Sequence, residues 1–282
     1  MKAISGYSLN RGLSQVAKHL FALFYSVITT GPLLWVLTMS LKTTDEIRQA
    51  PYALPQNWRF DLYADVWIHS SYGRYFFNSI IVVGASIVLL LTITPMAAYC
   101  FSKLPFKGSE IAFTVIFSGI MIPAQILIIP LYQSLSDLRL TNTHFGLMLV
   151  YVTIQIPMSI YILRSYFSSV PNELREAAKI DGCSELGIFA RIMLPVAKPA
   201  LCTILIINFI NLWNEFLFGS VLIQKDVMKT LPLGIIKFVG DVNEDLGRIA
   251  VAVIIAITPV IVIYCIFSES FMKGMTAGAV KG

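Results

Sequence analysis

Polar side chains able to do chemistry are scarce in this 282-residue sequence, and two stretches concentrate them. The first is Asn208-Phe209-Ile210-Asn211-Leu212-Trp213-Asn214-Glu215-Phe216, set inside an otherwise apolar run. At about 100° per residue of helix, Asn208, Asn211 and Glu215 share one face within about 60°. Three polar groups on one stripe in hydrocarbon are costly unless they meet a cavity or a partner helix. Amides, a carboxylate and the Trp213 ring are groups that hydrogen-bond and stack on sugars. The same groups can instead bond between helices as structural glue. The second stretch is 171–195. Pro171-Asn172 followed by acids is a helix-start signal, and Leu174, Ala177 and Ala178 share one side at i, i+3 and i+4. Asp181-Gly182 makes a turn in which glycine can take positive φ. Ser184 can cap a second short helix through Ile188, Phe189 and Ile192, ending at Leu194-Pro195. Two short helices joined by a glycine turn make a rigid projection suited to a groove on a soluble partner. The alternative is a hairpin lying flat on a bilayer.

Other chemistries find no support. No GxxxxGK[ST] loop occurs, and Lys107-Gly108-Ser109 lacks the preceding glycine-rich turn, so the chain is not expected to bind ATP itself. His19, His69 and His144 fall near the ends of apolar runs, where interfacial roles are expected, and no Ser/His/Asp constellation accompanies them. No catalytic residue is expected. Cys100, Cys183, Cys202 and Cys265 show no CxxC or CxxH spacing, which argues against a metal site. The 21 Lys and Arg against 16 acids are not clustered, so nucleic acid is not an expected partner.

The elements that must position these residues follow from composition. The chain is 56% hydrophobic and 13% charged, with a mean hydropathy of +0.74. A soluble domain carries about 25% charge, so an integral membrane protein is predicted. A span needs about 20 apolar residues. Six windows qualify, at 19–41, 75–101, 111–136, 140–163, 199–224 and 249–268, and Glu215 is their sole Asp, Glu, Lys or Arg. The first window is too long for a cleaved signal, and the lack of alternating strands excludes a β-barrel. Pro32, Pro95, Pro123 with Pro130, Pro157 and Pro259 lie inside the windows. Neighbouring helices can satisfy the carbonyls they free, so kinks rather than ends are expected. Six spans put both termini on one side. The segments on that side hold 12 Lys and Arg against nine opposite, which with Lys2, Arg11 and Lys18 places both termini in the cytoplasm. Segment 42–74, with Pro51, Pro55, Trp58 and Trp67, then faces outward as an aromatic belt or as a docking site. The predicted class is all-α, six transmembrane helices in a single bundle over 1–282, with cytoplasmic coupling helices.

The stretch at 171–195 resembles the EAA loop of binding-protein-dependent ABC importer permeases. Glu176-Ala177-Ala178, three residues, Gly182, nine residues, Ile192, one residue, then Leu194-Pro195 matches that motif in residues and spacing. The Trp213-Asn214-Glu215-Phe216 string is similar to the carbohydrate branch, which includes the smaller membrane subunit of the maltose importer. The tail 271–282, read by itself as small, flexible and basic, is similar there too. The resemblance implies that Glu176, Ala177, Ala178, Asp181 and Gly182, with Ile192, Leu194 and Pro195 completing the motif, form the site of coupling to an ATPase. It implies a second, similar permease subunit, two ABC ATPase subunits that bind the ATP and Mg, and an extracytoplasmic sugar-binding protein. It also implies a bacterial inner-membrane location and a substrate pathway including Asn208, Asn211, Trp213, Asn214 and Glu215. The alternatives are an ABC permease for a non-sugar solute and an ion-coupled secondary transporter. The latter usually needs more ionisable groups at mid-membrane than one glutamate.

Overall fold

The computed structural model describes residues 4–239 and 245–279, with side chains over 15–239 and 245–269. Among the described residues every regular element is helical. The chain forms two compact units, 1–70 with 238–255, and 71–237 with 256–282.

The first unit opens with α1, Ile4–Met39, which contains Pro32. Its stretch 15–39 is long and apolar enough to cross a membrane, and most of its large apolar side chains are exposed. Beyond it, segment 42–74 is folded. Thr43 caps a short helix at Thr44–Gln49, and a second at Asp61–Ala64 runs into a π-helical turn at Asp65–His69. Trp35 Nε1 donates to the Pro51 carbonyl over 2.9 Å, and its ring stacks on Tyr52 at 5.5 Å. Arg248 pairs with Asp65 at 2.7 Å. Tyr52 and Trp58 stay exposed.

The second unit is built on α2, Tyr72–Lys103, packed along α5, His144–Ser169. Both carry an internal proline, Pro95 and Pro157, without ending, as expected for helices whose neighbours satisfy the freed groups. Ala98, Tyr99, Ile160, Leu163 and Phe167 fill their shared core near the 171–195 stretch.

Two predicted spans are corrected. Window 111–136 is not one kinked helix. Helix α3, Ser109–Ser118, passes through a 3-10 turn and stops at Ile122-Pro123 before α4, Ile128–Asp137. The halves, Ser109–Met121 and Ala124–Asp137, meet at 92°. Pro123 disfavours helical backbone at the residue before it, and Ile122 is extended at ψ 115°. Pro130 lies in the first turn of α4, where its missing N–H costs nothing. Window 199–224 is also broken. After α6, Glu173–Ile180, and α7, Glu185–Val196, helix α8 runs over Lys198–Trp213 and stops. Helix α9, Leu217–Leu222, restarts beyond Asn214–Phe216. Helix α7 turns by 73° into α8 at Ala197 and is not ended by Pro195. Four helices are long and apolar enough to span, or six if each bent pair counts as one. The last helix, α10, Leu246–Ala279, contains Pro259. Its backbone is helical through 271–279, where the sequence suggested a flexible tail; residues 280–282 lie outside the described residues.

Candidate coupling surface and pathway helix

The predicted projection is present at 171–195. Asn172 lies at the start of α6 without capping it through its side chain. Its Oδ1 instead accepts from Lys103 Nζ over 2.7 Å, and Lys103 also donates to the Val170 carbonyl at 2.6 Å. Gly182 takes φ +80°. Cys183 N donates to the Ala178 carbonyl and Gly182 N to the Lys179 carbonyl, which closes α6 as a Schellman turn. Ser184 then caps α7 by accepting from Gly187 N at 3.2 Å.

One residue not anticipated in the sequence ties the projection together. The Glu185 carboxylate receives Arg175, Lys179 at 2.7 Å and the Tyr99 hydroxyl at 3.0 Å. The hydrogen bond from Arg175 holds this carboxyl down to about 2 against its partial burial, with Lys179 and Tyr99 adding to the effect. Glu185 therefore joins α6, α7 and α2. Its partners lie 86 and ten residues away or fewer, and sequence spacing gives no signal for the longer of these links.

The exposed face of the projection comprises Glu176, Ala177, Asp181, Gly182 and the apolar Ile180, 87% exposed, with Leu186 beside them. Ala178 departs from the expected contact set. It is only 5% exposed and packs with Phe167, Ile188, Phe189 and Met193 inside the unit. Its small side chain serves the closeness of α6 to α7. Ile192 and Leu194 pack against that same core, and Pro195 is exposed.

The structure divides the polar stripe of α8. Asn208 is 3% exposed and donates through Nδ2 to Ser159 Oγ at 2.9 Å, an interhelical bond to α5. Glu215 sits in the break before α9. It accepts from Phe218 N at 2.7 Å, Gly219 N at 3.1 Å and the Tyr151 hydroxyl at 2.8 Å. The carboxylate thus satisfies two amides that the interruption leaves without helical partners. Trp213, 2% exposed, cannot offer its face to a ligand here; it stacks on Phe209 at 5.3 Å and donates to the Ala256 carbonyl. Asn211 and Asn214 are exposed, and Asn214 Nδ2 donates to the Ile210 carbonyl at 2.8 Å. Asn214, Phe216, Leu231, Pro232 and Ile235 line, with Trp213, a pocket of about 310 Å³. On α5, Gln155 lies midway between Tyr151 and Ser159 at i+4 steps, so it is level with Asn211. Only its register with the two bonded pairs reveals it.

An all-helical, charge-poor chain with four to six spans and a rigid exposed two-helix projection has the architecture of a membrane permease subunit. Residues 93–275 match the family described as the binding-protein-dependent transport system inner membrane component, and the chain belongs to that family. It is a multi-pass inner-membrane transport subunit of a binding-protein-dependent ABC importer, not an enzyme. The diacetylchitobiose uptake system permease protein NgcG of Streptomyces coelicolor is 34% identical over 93% of this chain and 88% of its own length. The arabinooligosaccharides transport system permease protein AraQ of Bacillus subtilis is 31% identical over 95% of this chain and 96% of its own. A crystal structure of a bacterial ABC transporter involved in the import of the acidic polysaccharide alginate shares the fold. Its TM-score is 0.81 at 23% identity, over 93% of this chain and 98% of that one.

Proposed function

We propose that this chain is the permease subunit through which a sugar or oligosaccharide crosses the inner membrane, driven by ATP hydrolysed in partner chains. The observation that carries the coupling role is the exposed face at 176–182, presented on a Schellman turn and braced by Glu185. Small Ala177 and the nearly bare Ile180 offer apolar surface, and Glu176 offers a carboxylate to a basic or amide partner. This face docks on one of two ATPase subunits, which bind ATP and Mg. Both termini and the projection lie in the cytoplasm. Closure of the ATPase pair moves the loop, rocks the helices and opens a cavity outward, shared with a second permease subunit. A sugar-binding protein loads that cavity from outside. The sugar class is supported by the substrates named for NgcG and AraQ and by unspent hydrogen-bonding capacity along the pathway. Asn211 and Gln155 supply amides there, and Phe216 supplies an exposed ring. Asn208 and Glu215 hold the helices that present them.

The test is uptake in proteoliposomes containing both permease chains, the ATPases and the cognate binding protein. Saccharide uptake that requires ATP and the binding protein is expected. Uptake abolished by a protonophore but indifferent to ATP would overturn the reading in favour of an ion-coupled carrier, and loading by a non-sugar solute alone would reassign the substrate.

A further inference from the structure

The two ends of α2 hold two segments that the mechanism must keep in step. At one end the grip is on the coupling loop. Buried Lys103 donates to the Val170 carbonyl and to Asn172 Oδ1, and Tyr99 donates to Glu185. At the other end the grip is on segment 226–231. Asn78 Nδ2 donates to the carbonyls of Val227 at 3.0 Å and Lys229 at 2.8 Å, and Ser79 Oγ accepts from Leu231 N at 2.8 Å. The Tyr75 hydroxyl donates to Asp226 at 2.8 Å, and Lys237 closes the same carboxylate at 2.9 Å. The contact continues at Gly234, where an added Cβ would lie 2.3 Å from Tyr75 Cδ2, so no side chain can separate the segment from α2. From Asn78 to Lys103 the helix is about 37 Å long, enough to cross the hydrocarbon core.

Apart from the Lys237–Asp226 pair, these bonds come from side chains of α2, and most end on backbone atoms or on the first residues of another segment. Asn78 and Lys103 are buried, and each would be left with unpaired donors if its segment moved away. Both segments must therefore follow any tilt or shift of the helix. We propose that α2 is the rod linking the outward segment 226–237 to the coupling loop, with Tyr75 and Asn78 as positioning residues above and Tyr99 and Lys103 below. The inference rests on the proposed function, which puts a binding protein on one side and an ATPase on the other. What travels along α2 is the state of the binding protein.

The experiment uses the complete complex in proteoliposomes and reads basal ATPase activity, its stimulation by sugar-loaded binding protein, and maleimide labelling of Cys183. That thiol is exposed in the coupling loop; Cys100→Ser and Cys265→Ser remove the other exposed thiols. Asn78→Ala and the gentler Tyr75→Phe lie far from the loop. Tyr75→Phe should lower maximal stimulation about fivefold, the equilibrium change that accompanies loss of one hydrogen bond, and Asn78→Ala, which removes two, should lower it at least as much. Basal activity and the half-saturating concentration of binding protein should not change. The change in Cys183 labelling caused by loaded binding protein should shrink in parallel. Lys103→Met should reproduce the loss of stimulation and Lys103→Arg should restore it. Because the ends act in series, Asn78→Ala with Lys103→Met should be no worse than the weaker single variant. Full stimulation in both outer-end variants would overturn the proposal. So would effects that multiply in the double variant, or a shifted half-saturation at full maximum, which would make Asn78 a docking residue only. Absence of stimulation in the unaltered complex would instead overturn the proposed function itself.

Discussion

Gly182 carries the sharpest demand in the coupling loop. At φ +80° a side chain is strained whatever space surrounds it, and the surroundings here are open. The left-handed conformation costs an L-residue about 1–2 kcal/mol, and a β-branched one more. Gly182→Val should therefore distort the turn that closes α6 and displace the face at 176–182. The expected result is normal membrane insertion with loss of uptake and of co-purifying ATPase; retention of both would remove Gly182 from the coupling role. The asparagines of α8 separate in the same way. Asn208→Ala breaks the bond to Ser159, and an interhelical bond of this kind is worth about 0.6 kcal/mol on average. Its effect should be a lowered melting temperature in detergent with substrate affinity retained. Asn211→Ala, on an exposed side chain, should leave melting unchanged and raise the sugar concentration for half-maximal uptake. If both variants shifted only melting, the stripe would be structural glue from end to end.

Among the elements, the coupling loop is braced by one carboxylate, and this makes its rigidity pH-dependent. Arg175, Lys179 and Tyr99 hold Glu185 at about 2 in the folded chain, against about 4.3 for a free glutamate. A depressed carboxyl contributes stability that is complete above its unfolded value and disappears as pH falls through the folded one. Protection factors for amide exchange in α6 and α7, which remove the intrinsic pH dependence of the exchange reaction, should accordingly stay high down to about pH 5 and fall between about pH 4 and 2. Glu185→Gln should be less protected at neutral pH and its protection nearly flat across that window; an equally steep fall in the variant would assign the transition to other groups. This brace also marks where sequence reading stops. Hydrophobic windows located the four long helices and the apolar content of the two bent pairs, because apolar runs are a property of composition along the chain. The breaks at Ile122-Pro123 and Asn214–Phe216 were not visible in hydropathy, since both occur inside apolar stretches. The first follows from the backbone limits of one proline among several that are tolerated. The second depends on Glu215 bonding the amides of α9, and a carboxylate at that position reads equally well as a pathway residue. The Gly182 turn was legible because local backbone chemistry dictates it, whereas Glu185 acts with Tyr99 from a distant helix.

For the whole molecule the decisive quantity is apolar surface left uncovered. Most large apolar side chains of the span at 15–39 in α1 are exposed, and Ile180 and Leu186 stand out on the coupling loop. Lipid can cover the first. On the proposed orientation the second belongs to the water side, where exposed apolar patches mark protein contacts. A chain with no phosphate-binding loop should hydrolyse no ATP when purified alone. Adding the ATPase pair should cover Ile180 and Leu186 and protect Cys183, which lies between them, from water-soluble maleimide. By mass action, a partner that binds only the folded form should also raise the melting temperature, by an amount that grows with its concentration. Ile180→Asp should weaken that protection and the stabilisation together, while leaving the melting of the isolated permease unchanged, because the side chain touches little within its own chain. Equal ATPase binding by the aspartate variant would show that the apolar tip of the loop is not the docking face, and would transfer that role to the charged flank around Glu176.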